Sequence, residues 1–202
     1  MPRKKGKARK EKSEVLVLCA GETEEKYFRL LSKYFRDEGK TVLDKIKVEI
    51  DSDSLSQLEL VHKANHEKNK GGYNEVWVVF DEDDGNDLDG AVEWAKKKDI
   101  NVAYSNIAFE YWLLLHLRDK HKYESVKEME TELTRLLGFE YKKAENLDRV
   151  FKKLNAKILE AEDCCDRRYQ SYEVEGVLKP SEQKPCSTVH KLVKRLRKWH
   201  GC

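Results

Sequence analysis

Through its first half the chain alternates short apolar runs with amphipathic stretches. Residues 15–19 (Val-Leu-Val-Leu-Cys) and 76–80 (Val-Trp-Val-Val-Phe) are unbroken apolar runs, the form a strand takes when both of its faces are buried. Between them Tyr27, Phe28, Leu30, Leu31, Tyr34 and Phe35 recur at helical spacing. Thr23 is placed to cap that helix, with Lys26 standing where a capping box needs an acid, and Gly39 is placed to end it. Residues 46–50 set Val48 and Ile50 against Lys47 and Glu49, a second strand. A second helix is predicted from Asp53 or Ser54 to about residue 69, stopped by Gly71-Gly72. The third strand spans 75–80. Asp87 or Asp89 caps a helix bearing Val92, Trp94 and Ala95, and residues 101–104 form a fourth strand. Strands alternating with helices predict parallel pairing through right-handed crossovers.

After Ser105-Asn106 the pattern becomes helical. Phe109, Trp112, Leu113, Leu115, His116 and Leu117 mark a strongly apolar helix. Residues 124–137 form an amphipathic one ended by Gly138. Residues 145–172 form a long one, with Leu147, Val150, Phe151, Leu154, Ile158 and Leu159 on one stripe. Residues 176–185 read as a loop and 188–199 as a closing helix. The expected fold is α/β, a parallel sheet flanked by helices with a helical C-terminal extension. It divides into a basic disordered arm (1–12), an α/β domain (13–106) and a helical region packed on it (107–202).

Composition narrows the function. The chain has 202 residues, 39% of them charged and 39% apolar, enough to bury a core and too apolar for wholesale disorder. No window is long and apolar enough for a membrane span and no leader-like apolar segment opens the chain, so a cytoplasmic protein is expected. The five cysteines, Cys19, Cys164, Cys165, Cys186 and Cys202, fit no zinc spacing and no secreted disulfide framework. The net charge of +2 conceals a separation. Residues 2–12 carry seven Lys/Arg and one acid, and residues 187–202 carry five Lys/Arg and no acid. Taking these away from the 40 basic and 38 acidic residues leaves 28 against 37, a body of net −9. The basic ends suit phosphate contacts, with Lys191, Lys194, Arg195, Arg197 and Lys198 as the candidates on the closing helix. A solubilising tail and a solvated helix face explain the same residues.

Candidate chemistry gathers where strands end. Ala20-Gly21-Glu22-Thr23-Glu24-Glu25 follows the first strand, Asp81-Glu82-Asp83-Asp84 the third, and Ser105-Asn106-Ile107-Ala108-Phe109-Glu110 the fourth. The carboxyl ends of parallel strands share one edge, where ligands of open α/β sheets bind. Asp81 and Asp83, one residue apart, can aim carboxylates at one cation, and oxygen donors suit Mg²⁺ or Mn²⁺. A solvated acidic loop is the ordinary alternative. Glu110 stands on an otherwise apolar helix and either ligates a metal, accepts from Asn106 or faces solvent. His116 falls on a different helical face from Glu110 and fits a core histidine as well as a site border.

These segments, with Ser187-Thr188-Val189-His190-Lys191-Leu192-Val193, resemble the RloB family of prokaryotic defence-associated proteins over about residues 14–197. That family is similar in turn to Toprim domains, which place a glutamate after the first strand and an Asp-x-Asp pair after the third. The resemblance implies a Toprim-like fold and Mg²⁺-dependent phosphodiester chemistry. It also implies an AAA/ABC-type ATPase partner, as in RloA-type pairs. Asp81 and Asp83 match the pair and Glu24 the second acid of the first motif. The family reads Cys-Glu-Gly-Glu-Thr-Glu where this chain reads Cys19-Ala20-Gly21-Glu22-Thr23-Glu24. Ala20 therefore takes the place of the expected general acid/base. It is either a substitution made to silence a toxic nuclease or a natural loss giving a pseudoenzyme.

With glutamate at position 20, the expected activity is metal-assisted cleavage of a nucleic acid. Asp81, Asp83 and Glu24 would hold the metal, with Glu22, Asp84, Asn106, Glu110 and His116 bordering the site. Analogy with related Toprim defence effectors places RNA, including tRNA, ahead of DNA. A non-catalytic subunit that binds nucleic acid or an ATPase is the alternative. A nucleotide-binding or phosphoacceptor domain is a third reading, but it lacks a Gly-rich phosphate loop. The helix at 145–172 leaves self-association open.

Overall fold

The structure, a computed structural model, describes residues 14–37, 46–50, 55–82, 87–120 and 122–199. The expected basic arm and the acids Asp83 and Asp84 lie outside them. Four parallel strands, β1 (Glu14–Cys19), β2 (Ile46–Ile50), β3 (Tyr73–Asp81) and β4 (Asn101–Asn106), run in the order β2-β1-β3-β4. A fifth, β5 (Cys186–Ser187), closes the β4 edge antiparallel, with Ser105 opposite Ser187 and Asn106 opposite Cys186. Both β3 and β4 outrun the expected strands.

The pleat explains why the central strands are apolar throughout. Val15, Val17 and Cys19 of β1 and Trp77 and Val79 of β3 face one core. Leu16 and Leu18 of β1 and Val76, Val78 and Phe80 of β3 face the other. Helices α2 (Gln57–Lys70) and α3 (Leu88–Lys97) cover the second face. The first is covered by α1 (Glu22–Asp37), α4 (Glu110–Leu115), α5 (Val126–Leu137), α6 (Leu147–Leu154), α7 (Ile158–Glu175) and α8 (Val189–Trp199).

Local chemistry sets several boundaries differently from the sequence pattern. Helix α1 begins at Glu22, so Thr23 is inside the helix and buried rather than capping it. The Gly21 carbonyl accepts the first helical bond from Glu25 N at 3.1 Å. Three acids in that turn, Glu22, Glu24 and Glu25, complement the helix dipole. Helix α2 starts after Ser56, where a complete capping box operates. Ser56 Oγ accepts from Glu59 N, and Glu59 Oε2 accepts from Ser56 N at 2.8 Å. Asp53 and Ser54, the expected starts, lie outside the described residues. Asp87 caps α3, with Oδ1 accepting from Gly90 N at 2.8 Å. Gly138 ends α5 in the left-handed conformation (φ 74°) that glycine adopts without penalty.

The long helix expected over 145–172 is interrupted. A 3-10 turn at Asn155–Lys157 separates α6 from α7. Its tighter winding shifts the phase of the apolar stripe, so Ile158 stays buried while Leu159 is 56% exposed. The loop expected at 176–185 contains a 3-10 turn, Pro180–Glu182, and leads into β5. Among the described residues no helix is long and apolar enough to cross a membrane.

Candidate functional site

In the order β2-β1-β3-β4, connections leave β1 and β3 in opposite directions. The crevice at their carboxyl ends is therefore the topological switch point, where open α/β sheets bind ligands. Cys19 lies beside Val79, and Ala20 N donates to Val79 O at 2.9 Å. A cleft of about 290 Å³ opens here, lined by residues of the first and third sequence segments together with Asp81.

Four acids line it: Glu22, Glu24, Asp81 and Glu110. Asp81 ends β3, and its backbone carbonyl accepts a hydrogen bond from Gln57 Nε2, which ties the strand end to α2. Glu24 is only 6% exposed. Its carboxylate folds back over Gly21, so a Cβ built on Gly21 would stand 2.5 Å from Glu24 Oε2. The missing side chain makes the room that this acid occupies. Glu110, at the first position of α4, is 4% exposed and accepts from Tyr141 Oη at 3.1 Å. Burial pushes its carboxyl above the ordinary range, and the nearby Lys143 charge and Tyr141 hydroxyl oppose the rise without cancelling it.

Tyr141 and Lys143 escaped the sequence reading. They belong to the connector between α5 and α6, which has neither strand nor helix periodicity. Lys143 lines the cleft together with the acids and pairs with Glu130 at 3.2 Å. Burial pulls its ammonium down, but the Glu130 hydrogen bond and the Glu110, Glu130 and Asp81 charges outweigh that and hold it above the usual lysine value. An open groove of about 940 Å³ continues from the cleft, sharing Glu22 and Lys143 with it. The only available signal for this wall was the basic pair Lys142-Lys143 within an acidic neighbourhood.

Other candidates fall elsewhere. Asn106 is fully buried and does not line the cleft; its Nδ2 donates to the Pro180 and Ser181 carbonyls at 2.9 and 3.2 Å. Its role here is to hold the 177–185 segment. His116 is a core residue rather than a site border. It is 2% exposed, donates from Nδ1 to the Trp112 carbonyl at 2.9 Å and packs edge-on against Trp112 and Tyr27. Burial lowers its pKa to about 4. Cys19, Cys164, Cys165 and Cys186 are buried free thiols. Among the described residues no three His, Cys, Asp or Glu side chains are grouped to hold a metal ion; Asp83 is not among them.

Three of the five basic candidates of α8 are engaged with acids of the body. Lys194 pairs with Asp166, and Arg197 with Glu162 at 2.5 Å. Arg195 Nε bonds both oxygens of Glu75, at 2.8 and 3.0 Å. Glu75 lies six residues before Asp81 on β3, about 20 Å along the strand. Arg195 is therefore at the opposite edge of the sheet from the cleft. Lys191 stacks over Tyr169 at 3.6 Å, and Lys198 is exposed.

Comparison with curated proteins and with solved structures finds no match. Residues 15–196 match the RloB-like protein family, which spans β1 through α8, and the chain belongs to that family.

Proposed function

We propose that this chain is built as a Toprim-type, divalent-metal-dependent nuclease of prokaryotic anti-phage defence, silent or impaired as it stands because alanine fills position 20. The observation that carries this reading is the meeting of Glu24 and Asp81 at the switch-point cleft, with Glu110 beside them. Asp81, Asp83 and Glu24 are the residues that would hold Mg²⁺ or Mn²⁺, which when bound polarises a phosphate and acidifies a water. The donor atoms are carboxylate oxygens, the ligands hard cations take, and Glu24 and Asp81 line one cleft.

The chain's own residues divide the remaining work. Gln57 fixes the end of β3 and so the direction in which Asp81 leaves the sheet. Tyr141 holds the Glu110 carboxyl at the cleft wall. Ala20 offers no group that can take or give a proton, so general acid/base help at this position is missing. RNA, tRNA included, is the substrate class we place first, and an AAA/ABC-type ATPase partner belongs to the same reading. A second reading, a non-catalytic subunit that binds nucleic acid or the ATPase, is favoured by Ala20 itself.

Restoring the acid separates the two. The Ala20→Glu chain, given Mg²⁺ or Mn²⁺, is expected to cleave total tRNA, single-stranded RNA or plasmid DNA where the alanine form does not. Adding Asp81→Ala should abolish that cleavage. Inactivity of the glutamate form on all three substrates, with the ATPase partner present, would favour the binding subunit.

A further inference from the structure

We infer that Lys143 is the phosphate contact of the cleft, the group that takes a non-bridging oxygen of the substrate's phosphodiester in the cleft it shares with Glu24 and Asp81. This rests on the nuclease reading and deepens it. A phosphodiester entering the cleft meets four carboxylates, and Lys143 is the only basic residue among the described residues lining it. Neighbouring bases are committed elsewhere. Lys26 pairs with Asp148 at 2.5 Å and donates to the Ala144 carbonyl at 2.9 Å. Lys142 lines the adjoining groove and not the cleft. On α8, Lys194, Arg195 and Arg197 pair with Asp166, Glu75 and Glu162, and Lys191 stacks over Tyr169.

The backbone presents Lys143 deliberately. Its φ is +48°, the left-handed region that a side-chain-bearing residue enters only when its surroundings impose it. The surroundings do so on both sides. Tyr141 N donates to Thr134 Oγ1 at 3.0 Å, Lys142 N to Asn146 Oδ1 at 2.9 Å, and Asn146 Nδ2 to the Glu140 carbonyl at 2.7 Å. Tyr141 also pins the turn to Glu110. The ammonium itself is held loosely. Its pair with Glu130 is at the rim, with the lysine side chain 60% exposed, and such pairs are weak. A braced turn carrying a loosely paired cation is suited to exchanging Glu130 for a phosphate.

The test uses the full chain as it stands, with Ala20, and a fluorescein-labelled single-stranded RNA in Mg²⁺. Anisotropy gives Kd across a series of salt concentrations for the parent and for Lys143→Gln, Lys143→Arg and Lys198→Gln. Thermal melts confirm that each variant is folded, and the arginine form keeps the assay decisive should the glutamine form not fold. Lys143→Gln is expected to weaken binding roughly tenfold and to lower the slope of log K against log salt by about one. Lys143→Arg should retain most of both, and Lys198→Gln should change neither. An unchanged Kd and slope in folded Lys143→Gln, or a loss on Lys198→Gln in its place, overturns the assignment of Lys143 and leaves the nuclease reading standing. Failure of the parent to bind either this RNA or a labelled single-stranded DNA run beside it overturns the nuclease reading, and this inference with it.

Discussion

Gly21 has no room for a methyl group, because the space is filled by the Glu24 carboxylate. Gly21→Ala therefore acts on an acid of the cleft more than on the fold. The obstructing atom is the end of a flexible side chain, so Glu24 swings aside and the melting temperature moves by no more than about 2–4 °C, the equivalent of ~1 kcal/mol. Mn²⁺ binding, read by electron paramagnetic resonance, should weaken in the same variant; retained Mn²⁺ affinity would remove Glu24 from the proposed ligand set. His116 offers a prediction of opposite kind. It is buried neutral, with its pKa lowered from 6.5 to about 4 by burial. The unfolded chain binds a proton that the folded chain refuses, so its contribution is complete above pH 6.5 and is lost as pH falls toward 4. At 1.36 kcal/mol per unit that is at most ~3 kcal/mol. Melting temperature against pH should fall less steeply for His116→Leu than for the parent, and parallel curves would refute the assignment. Glu24 and Asp81 were legible because acids directly after apolar strands stand out in a sequence. Tyr141 and Lys143 were not, because packing alone brings the α5–α6 connector to a cleft whose other residues lie 31 or more positions earlier.

At the scale of elements, the two-residue strand β5 is extended by a side chain at its end. Thr188 N donates to the Tyr104 carbonyl at 2.8 Å, and Tyr104 N donates to Thr188 Oγ1 at 2.9 Å. The threonine hydroxyl thus stands where a further strand residue would accept. Thr188→Val keeps the shape and leaves a buried N–H unmet, which costs about 1–3 kcal/mol. The melting temperature should drop by about 2–4 °C for each of these, and no drop would mean that another acceptor serves Tyr104. The four parallel strands were legible because apolar runs alternate with helical periodicity. A strand of two residues has no period to detect, and Cys186-Ser187 passes for the end of a loop. The break between α6 and α7 was hidden for a related reason: Leu147, Val150, Phe151, Leu154 and Ile158 keep helical spacing across it, and only the exposure of Leu159 betrays the turn.

Over the whole molecule, charge is sorted by edge. The carboxyl edge of the sheet carries the acidic cleft, and the amino edge carries Glu75 locked to Arg195. The sequence shows two basic ends as equals, because a charge run does not reveal which acids fold against it. The fold distinguishes them. The α8 bases Lys194, Arg195 and Arg197 each meet an acid of the body, so their removal unpairs Asp166, Glu75 or Glu162 and frees no phosphate site. Deleting residues 2–12, by contrast, removes seven bases and one acid and takes the net charge from +2 to −4. If the arm supplies long-range attraction, that deletion should weaken RNA binding and flatten its salt dependence by several units, about one for each phosphate that the arm neutralises. The double variant Lys194→Gln/Arg195→Gln should instead lower the melting temperature and leave the salt slope where it was. The reverse outcome, with a slope insensitive to the deletion and reduced by the double variant, would place the nucleic acid along α8 and turn the proposed binding mode end for end.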